Sequence, residues 1–543
     1  MPTIASTRGK RGRASSQPRL ISGLGSVHHP VSTKNAKAQQ FFDQGLKLVY
    51  GFNHEEARRS FQHAAELDPK LAMAWWGVAL TLGPNYNLPV DPQREKAGYD
   101  AVQRAITLQD NGSEAERAYI NALAFRYSND PKADLPQLDV AYRDAMAKLV
   151  KRYPDDLDAA TLYAESMMNL HPWKLWLRDG KPNEGTEEIV AVLESVLERE
   201  PNHLGANHYY IHAVEASSHP ERALASAVRL EKLAPAAGHL VHMPAHIYSR
   251  VGDHAASAHA NAVAAVADQK FLAVTHDQGL YPRMYYSHNL HFLAYANCMR
   301  DNFSEAKRAA DKLVTYIKPH VKEMPMLEGY LSTPLFILIA FERWNDILRL
   351  AAPDPTFVHT TAQWHFARAM AFAGSEKKAQ AQQESKMFFA HLAKLPRDAT
   401  FDSLNKVTEI ARVQENLLAA AIMLSGGEEG EEGEEGEEAG EVVEAFQHAI
   451  AAEDNLNYSE PPSWFPPIRP LYGRVLLERG QSAAAEKVFR SALEKSPRYP
   501  RALAGLRDSL KAQNRGYEAE QVDLQLRDSQ TTVDAVSTIP ARK

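Results

Sequence analysis

The stretch AQQFFDQGLKLVYGFNHEEARRSFQHAAELDPKL, residues 38–71, decides the fold. Apolar and small residues recur in it at helical spacing, in two runs. Gly45 and Ala57 place small residues where two antiparallel helices have to approach closely, and Phe61 and Ala64 follow on the second run. Pro69 ends that run, because proline cannot continue a helix. The stretch therefore predicts a helix-turn-helix unit.

The same spacing returns near the other end of the chain. Numbered from residue 38, Gly45, Ala57, Phe61 and Pro69 fall at positions 8, 20, 24 and 32, and Gly473, Ala485, Phe489 and Pro497 repeat these positions. This pattern resembles the tetratricopeptide repeat (TPR) family, and weaker units with a period near 34 residues lie between the two. The resemblance implies an all-α fold, a TPR-like α-solenoid in which helix-turn-helix repeats form a right-handed superhelix.

Composition narrows the class of protein. The chain has 543 residues and one cysteine, Cys298, so it has no internal disulfide and fits a reducing, cytoplasmic compartment. No apolar run is long enough to span a membrane. The net charge of −7 includes nine glutamates in residues 428–441, and without them it becomes −7 + 9 = +2. A near-neutral folded part argues against nucleic acid as the main partner, and we predict no membrane partner either.

We predict seven segments along the chain. They are a disordered basic tail (1–35), N-terminal repeats (36–201), histidine-rich central repeats (202–315), degenerate repeats (316–425), a solvated Glu/Gly loop (426–441), C-terminal repeats (442–525) and a final tail (526–543).

Histidines are concentrated in the central repeats. Residues 203–291 hold twelve of the chain's 22. His208 and His242 are 34 residues apart, as are His212 and His246, so each pair occupies positions 5 and 9 of successive repeats. In TPR proteins positions 2, 5, 9 and 12 line the concave groove, and the resemblance therefore implies that seven histidines face it. These are His208, His212, His239, His242, His246, His288 and His291.

Metal binding would explain this concentration. Close imidazoles repel one another when protonated and need many partners when neutral, whereas a metal ligand is neutral and satisfied. Imidazoles without thiolates suit Cu, Fe or Zn, as one ion or two. Glu215 follows His212 by three residues, so it shares that face and is a candidate ligand or catalytic base. Peptide binding and pH sensing are the alternatives for stacked histidines.

An insertion of 15 residues precedes the third histidine helix and carries Tyr281, Tyr285 and Tyr286. We expect it to fold over the groove as a lid, with Tyr285 as a catalytic candidate. Tyr281, together with Trp76 and Tyr295 at groove positions 5 and 9 of their repeats, is predicted to line a substrate groove.

The segments His208-Tyr-Tyr-Ile-His212, His239-Leu-Val-His-Met-Pro-Ala-His-Ile247 and Tyr286-Ser-His-Asn-Leu-His291 also resemble a set of large, mostly bacterial TPR proteins with an HMxxHI core motif. Those proteins have no settled function, so the resemblance implies an architecture and a site but not a reaction.

The sequence thus predicts a metal-dependent enzyme, an oxidase, oxygenase or hydrolase, acting on a small molecule in the groove. Two alternatives stay open: a TPR scaffold that binds a peptide or protein partner without catalysis, and a metal store or chaperone.

Overall fold

A computed structural model of the protein describes residues 18–277, 279–401, 404–426 and 434–531. Within these ranges the regular elements are helices. Their bounds are α1 Ala36–Tyr50, α2 His54–Leu67, α3 Ala72–Leu82, α4 Pro92–Leu108, α5 Glu114–Ala124, α6 Leu135–Arg152, α7 Leu157–Met168, α8 Thr186–Arg199, α9 Leu204–Val214, α10 Leu224–Leu233, α11 Gly238–His242, α12 Pro244–Val251, α13 His254–Thr275, α14 Ser287–Met299, α15 Phe303–Ile317, α16 Thr333–Ala340, α17 Trp344–Arg349, α18 Val358–Ala373, α19 Lys378–Leu392, α20 Val407–Leu424, α21 Glu434–Asp454, α22 Arg469–Glu478, α23 Ser482–Lys495, α24 Pro500–Ala512 and α25 Gly516–Thr531. A π-helical turn, Pro282–Tyr286, leads into α14.

The first helix pair confirms the predicted repeat. The ring of Phe61 lies between α1 and α3, where a Cβ added to Gly45 would come within 2.6 Å of it and one added to Gly77 within 2.4 Å. Both glycines are therefore required for the close approach of the helices. The last repeats reproduce the arrangement, with Phe489 placed between Gly473 and Gly505. The chain is thus all-α and TPR-like, as predicted.

The turn between paired helices has a common conformation. A residue one or two positions after the first helix of the pair lies in the left-handed region, at φ +53° for Phe52, +61° for Asp301 and +59° for Asn514, as it does for Gly252 and Gly480. Glycine adopts this conformation without strain, whereas for other residues it costs about 1–2 kcal/mol. A phenylalanine at this position therefore needs a compensating contact.

The chain divides into two compact units. The first comprises residues 1–247 and 263–286, and the second comprises residues 248–262 and 287–543. Among the helices of the described ranges, none has the length and apolar character needed to cross a membrane.

Residues 18–35, assigned to the tail from sequence, are ordered against the first repeats. His28 Nδ1 lies 2.8 Å from Asp43 Oδ2, and His29 Nδ1 lies 2.8 Å from Asp158 Oδ2. These polar contacts fix a segment whose composition alone suggested disorder. The remainder of the predicted N-terminal tail, residues 1–17, lies outside the described residues. Residues 532–543 of the predicted C-terminal tail also lie outside them.

The second half of the Glu/Gly segment is helical, whereas the sequence predicted a solvated loop over residues 426–441. Residues 427–433 lie outside the described residues, and α21 begins at Glu434 instead of after the tract. Glutamate has a high helix propensity, which offsets the cost of the interspersed glycines.

Candidate metal centre

Five predicted ligands meet in the first unit. They are His208 and His212 on α9, His239 and His242 on α11, and His246 on α12, and each is at most 2% exposed. The ring centroids of His208 lie 4.9 Å from those of His212 and of His239, and the rings of His242 and His246 are 4.7 Å apart. Residues at positions 5 and 9 of two successive repeats therefore lie together.

Hydrogen bonds at Nδ1 orient three of these rings. Nδ1–H of His208 donates to the backbone carbonyl of Tyr50 at 2.6 Å, and Nδ1–H of His212 donates to Oε1 of Glu215 at 2.9 Å. Nδ1–H of His246 donates to the other oxygen, Oε2, of Glu215. A neutral imidazole that donates through Nδ1 carries its lone pair on Nε2, which is the tautomer that binds metal through Nε2.

Glu215 contacts two histidines at once. It is 1% exposed, and each of its carboxylate oxygens accepts a hydrogen bond from one imidazole. Burial opposes its ionisation, but His246 and His212 outweigh this and hold the pKa of Glu215 at about 2. A carboxylate engaged on both oxygens is placed to orient both imidazoles. The predicted role of Glu215 as a metal ligand or catalytic base stays a prediction.

Burial favours the neutral form of three of these imidazoles, His208, His212 and His239. Burial lowers the pKa of His208 and of His239 well below the ordinary value, and neighbouring histidines lower both further. Burial also lowers the pKa of His212, although Glu215 acts in the opposite direction. Neutral imidazole is the form that coordinates metal.

The nitrogens face one another at short distances. Nε2 of His208 lies 3.1 Å from Nε2 of His239, and Nε2 of His242 lies 2.8 Å from Nε2 of His246. One ligand atom from each of His208, His212 and His239 lies within 4.8 Å of the others. Nε2 of His212 is buried and has no hydrogen-bond partner among the described residues. This arrangement is suited to coordinating a cation between the three rings.

Aromatic side chains enclose the imidazoles. The ring of Phe52 lies 4.5 Å from that of His208 and stacks on His212 and His239 at 5.8 and 5.5 Å. Tyr86 and Trp173 contact His212 from other directions, at 5.0 and 6.0 Å. These contacts supply the compensation for the left-handed backbone of Phe52, and together the rings shield the nitrogens from water.

Tyrosines of the insertion contact the centre. The Tyr285 ring lies 4.7 Å from that of His239 and stacks on Tyr281 at 4.9 Å. The Tyr281 hydroxyl accepts from the backbone N–H of His239 at 3.3 Å and lies at the same distance from Asp268. Burial raises the pKa of Tyr285 to about 12, although Asn87 lowers it in part, so its hydroxyl is protonated at neutral pH.

Other predicted residues lie elsewhere. Trp76, expected in the groove, is 3% exposed and packs against Phe42 and Tyr119, because its helix turns that side toward the core of the first repeats. Tyr295 lies in the second unit, where its ring contacts Phe465 at 5.6 Å.

His288 and His291 also belong to the second unit. The ring of His291 lies 5.2 Å from that of Tyr330, and burial lowers its pKa to about 4. His288 lies 5.9 Å from the ring of Phe292. Their metal-binding role stays a prediction.

The sequence analysis did not predict two residues of the first repeat that contact the centre. Tyr50 supplies its carbonyl to His208, and Phe52 supplies its ring to three imidazoles. The sequence carries one feature that could have indicated Phe52. It is a bulky residue at position 15, where repeat six and the last repeat have glycine.

Comparisons with known proteins give only distant likenesses. No family model matches the chain, and no curated protein matches it in sequence. Among solved structures it is similar to yeast Tom70, with 12% identity over 93% of this chain and 99% of that chain and a TM-score of 0.32. It is also similar to the human IFIT1 dimer with PPP-AAAA (11% identity, 92% of each chain, TM-score 0.32) and to the P58(IPK) TPR domain (14% identity, 84% and 99%, TM-score 0.21). Likenesses this distant carry no conclusion about function.

Proposed function

We propose that the first unit holds a resident transition-metal ion on His208, His212 and His239, and that the protein is a metal-dependent enzyme acting on a small molecule. The observation that carries this proposal is the buried Nε2 of His212, which has a lone pair and no partner beside two further imidazoles. Leaving such an acceptor unsatisfied costs about 1–3 kcal/mol. A bound ion removes that cost.

The donor set suits Cu, Fe or Zn. The three ligands are all imidazoles. The Tyr50 carbonyl accepts a hydrogen bond from Nδ1–H of His208, and the Glu215 carboxylate accepts one from Nδ1–H of His212. These bonds fix the tautomer that binds metal through Nε2. Three protein ligands leave a coordination position for water, oxygen or substrate. Tyr285, protonated and against His239, is the side chain of the insertion placed to donate a proton near that position.

Burial of the histidines supports this function over its alternatives. Groove positions 5 and 9 of repeats five and six, His208, His212, His242 and His246, are at most 1% exposed, whereas a peptide-binding scaffold needs these positions open. A metal store or chaperone has to exchange its ion, and exchange is slow when every ligand is enclosed by aromatic rings. The enclosure therefore supports a resident ion.

Elemental analysis of the untagged protein tests the proposal. We expect at least one equivalent of Cu, Fe or Zn in the wild type, at least one equivalent less in His212→Ala, and no loss in the control His219→Ala, whose side chain is exposed. Far-UV circular dichroism of both variants checks that the helices persist. The element then selects the activity assay, oxygen uptake for Cu or Fe and ester or amide hydrolysis for Zn. Absence of metal after reconstitution with all three ions would refute the proposal and favour a scaffold.

A further inference from the structure

We infer that a second metal ion binds beside the first, between His242 and His246. The inference rests on the proposed function, because it extends the centre formed by His208, His212 and His239. It commits the protein to a two-ion centre, with each ion held by its own imidazoles.

The first step is the distance between paired nitrogens. Two ligands that each lie about 2.0–2.1 Å from one ion are about 2.9 Å apart at a right angle and about 3.4 Å apart at a tetrahedral angle. The Nε2 atoms of His242 and His246 are 2.8 Å apart, close to the 3.1 Å between Nε2 of His208 and Nε2 of His239. Both pairs therefore have the spacing of neighbouring ligands on an ion.

The second step is orientation. His242 and His246 are four residues apart and present their rings on the same side of the chain, with the centroids 4.7 Å apart. Nδ1–H of His246 donates to Glu215, so its lone pair lies on Nε2 and points at His242. This matches the first site, where His208 donates to the Tyr50 carbonyl and directs its Nε2 at His239.

The third step is the position of Glu215. One of its oxygens accepts from His212, a ligand of the first ion, and the other accepts from His246, a ligand of the second. The His212 and His246 rings are 5.7 Å apart. A single carboxylate thus orients one ligand of each site, and the two sites are close enough for the separation of about 3.5–4 Å found in two-ion centres.

The competing explanation is a metal-free hydrogen bond within each pair, in which Nε2–H of one imidazole donates to the other. It accounts for the same distances, but it predicts no bound ion at His242. Stoichiometry therefore distinguishes the two explanations.

The experiment uses the full-length untagged protein, stripped with a chelator and titrated with Zn²⁺ against a chromophoric competitor. We expect two equivalents in the wild type and in His219→Ala, and one equivalent in either His242→Ala or His208→Ala. One equivalent in the wild type would overturn the second site and leave the proposed function standing. No bound zinc in the wild type, with no Cu or Fe bound on reconstitution either, would overturn both.

A second measurement does not depend on any variant folding. The wild-type protein is loaded with Co²⁺ to saturation, and its electron paramagnetic resonance signal is compared with that at one equivalent. We expect the signal per cobalt to fall by more than half at two equivalents, because two ions this close couple magnetically. A signal that grows in proportion to cobalt would contradict the two-ion centre.

Discussion

Replacing Glu215 by glutamine tests how the centre is organised. Glu215 is buried, and its two oxygens accept hydrogen bonds from His212 at 2.9 Å and from His246. Glutamine offers one acceptor oxygen and one donor group, so only one imidazole keeps its bond and the other must turn or change tautomer. The variant therefore misorients one ligand without deleting any.

The expected loss of metal affinity follows from the number of imidazoles that Glu215 orients. Removing a carboxylate that orients one metal-bound histidine typically costs 10- to 100-fold in affinity. Because this carboxylate serves two imidazoles, we expect Glu215→Gln to lie at the upper end, a loss of about 100-fold or about 2.7 kcal/mol. Competition titration with Zn²⁺ at pH 7 measures it.

A matched control and a spectroscopic readout separate positioning from general damage. Glu194→Gln removes a carboxylate of the same unit that is partly exposed and bonds to Tyr210 and Arg222 instead of histidine, and it should leave zinc affinity unchanged. Histidine ¹⁵N shifts should show a changed tautomer for His212 or His246 in the apo variant. Wild-type affinity in Glu215→Gln, with normal zinc binding in the parent, would refute this reasoning.

Two further outcomes concern the fold. Gly45→Ala should destabilise the protein by about 1–3 kcal/mol, since the new Cβ would lie 2.6 Å from the Phe61 ring. The midpoint of urea unfolding measures this change. An unchanged midpoint would show that the helices can separate at no cost. Burial lowers the pKa of His29, but its hydrogen bond to Asp158 and the charge of that residue raise it overall above 6.5. Its stabilising contribution, roughly 1–2 kcal/mol for a partly buried charged bond, is therefore full below pH 6.5 and is lost as pH rises through the raised value. The difference in Tm between wild type and His29→Ala should accordingly be larger at pH 6 than at pH 9, and a constant difference would contradict the ionic contact.

The sequence predicted what depends on local spacing. The glycine and phenylalanine of the first repeat define the helix pair, and residues three and four apart, such as His212 with Glu215 and His242 with His246, do meet. These relations follow from the geometry of one helix or of two neighbouring repeats.

What the sequence did not predict depends on contacts between distant repeats. Trp76 was expected in the groove from its position in an ideal repeat, but the first repeats are packed by residues such as Tyr119, and this places Trp76 in the core. His29 lies in a segment without periodicity, so no pattern indicated its contact with Asp158. Tyr50 contributes a backbone carbonyl, a group that every residue carries and that no motif can identify.

The bond from His208 to the Tyr50 carbonyl joins residues 158 positions apart. In a simple repeat array each unit contacts only its neighbours, so that the ends fray and stability adds up repeat by repeat. Here α1 contacts α9, and Tyr50 lies so close to Gly205 that an added Cβ would come within 2.4 Å of its ring. The contact between α1 and α9 thereby joins the two ends of this array of repeats. Opening any repeat between α1 and α9 strains the contact that orients His208. We therefore expect the whole segment to exchange its amide hydrogens as one cooperative block, and an ion bound to His208 to slow that exchange in repeats it does not touch.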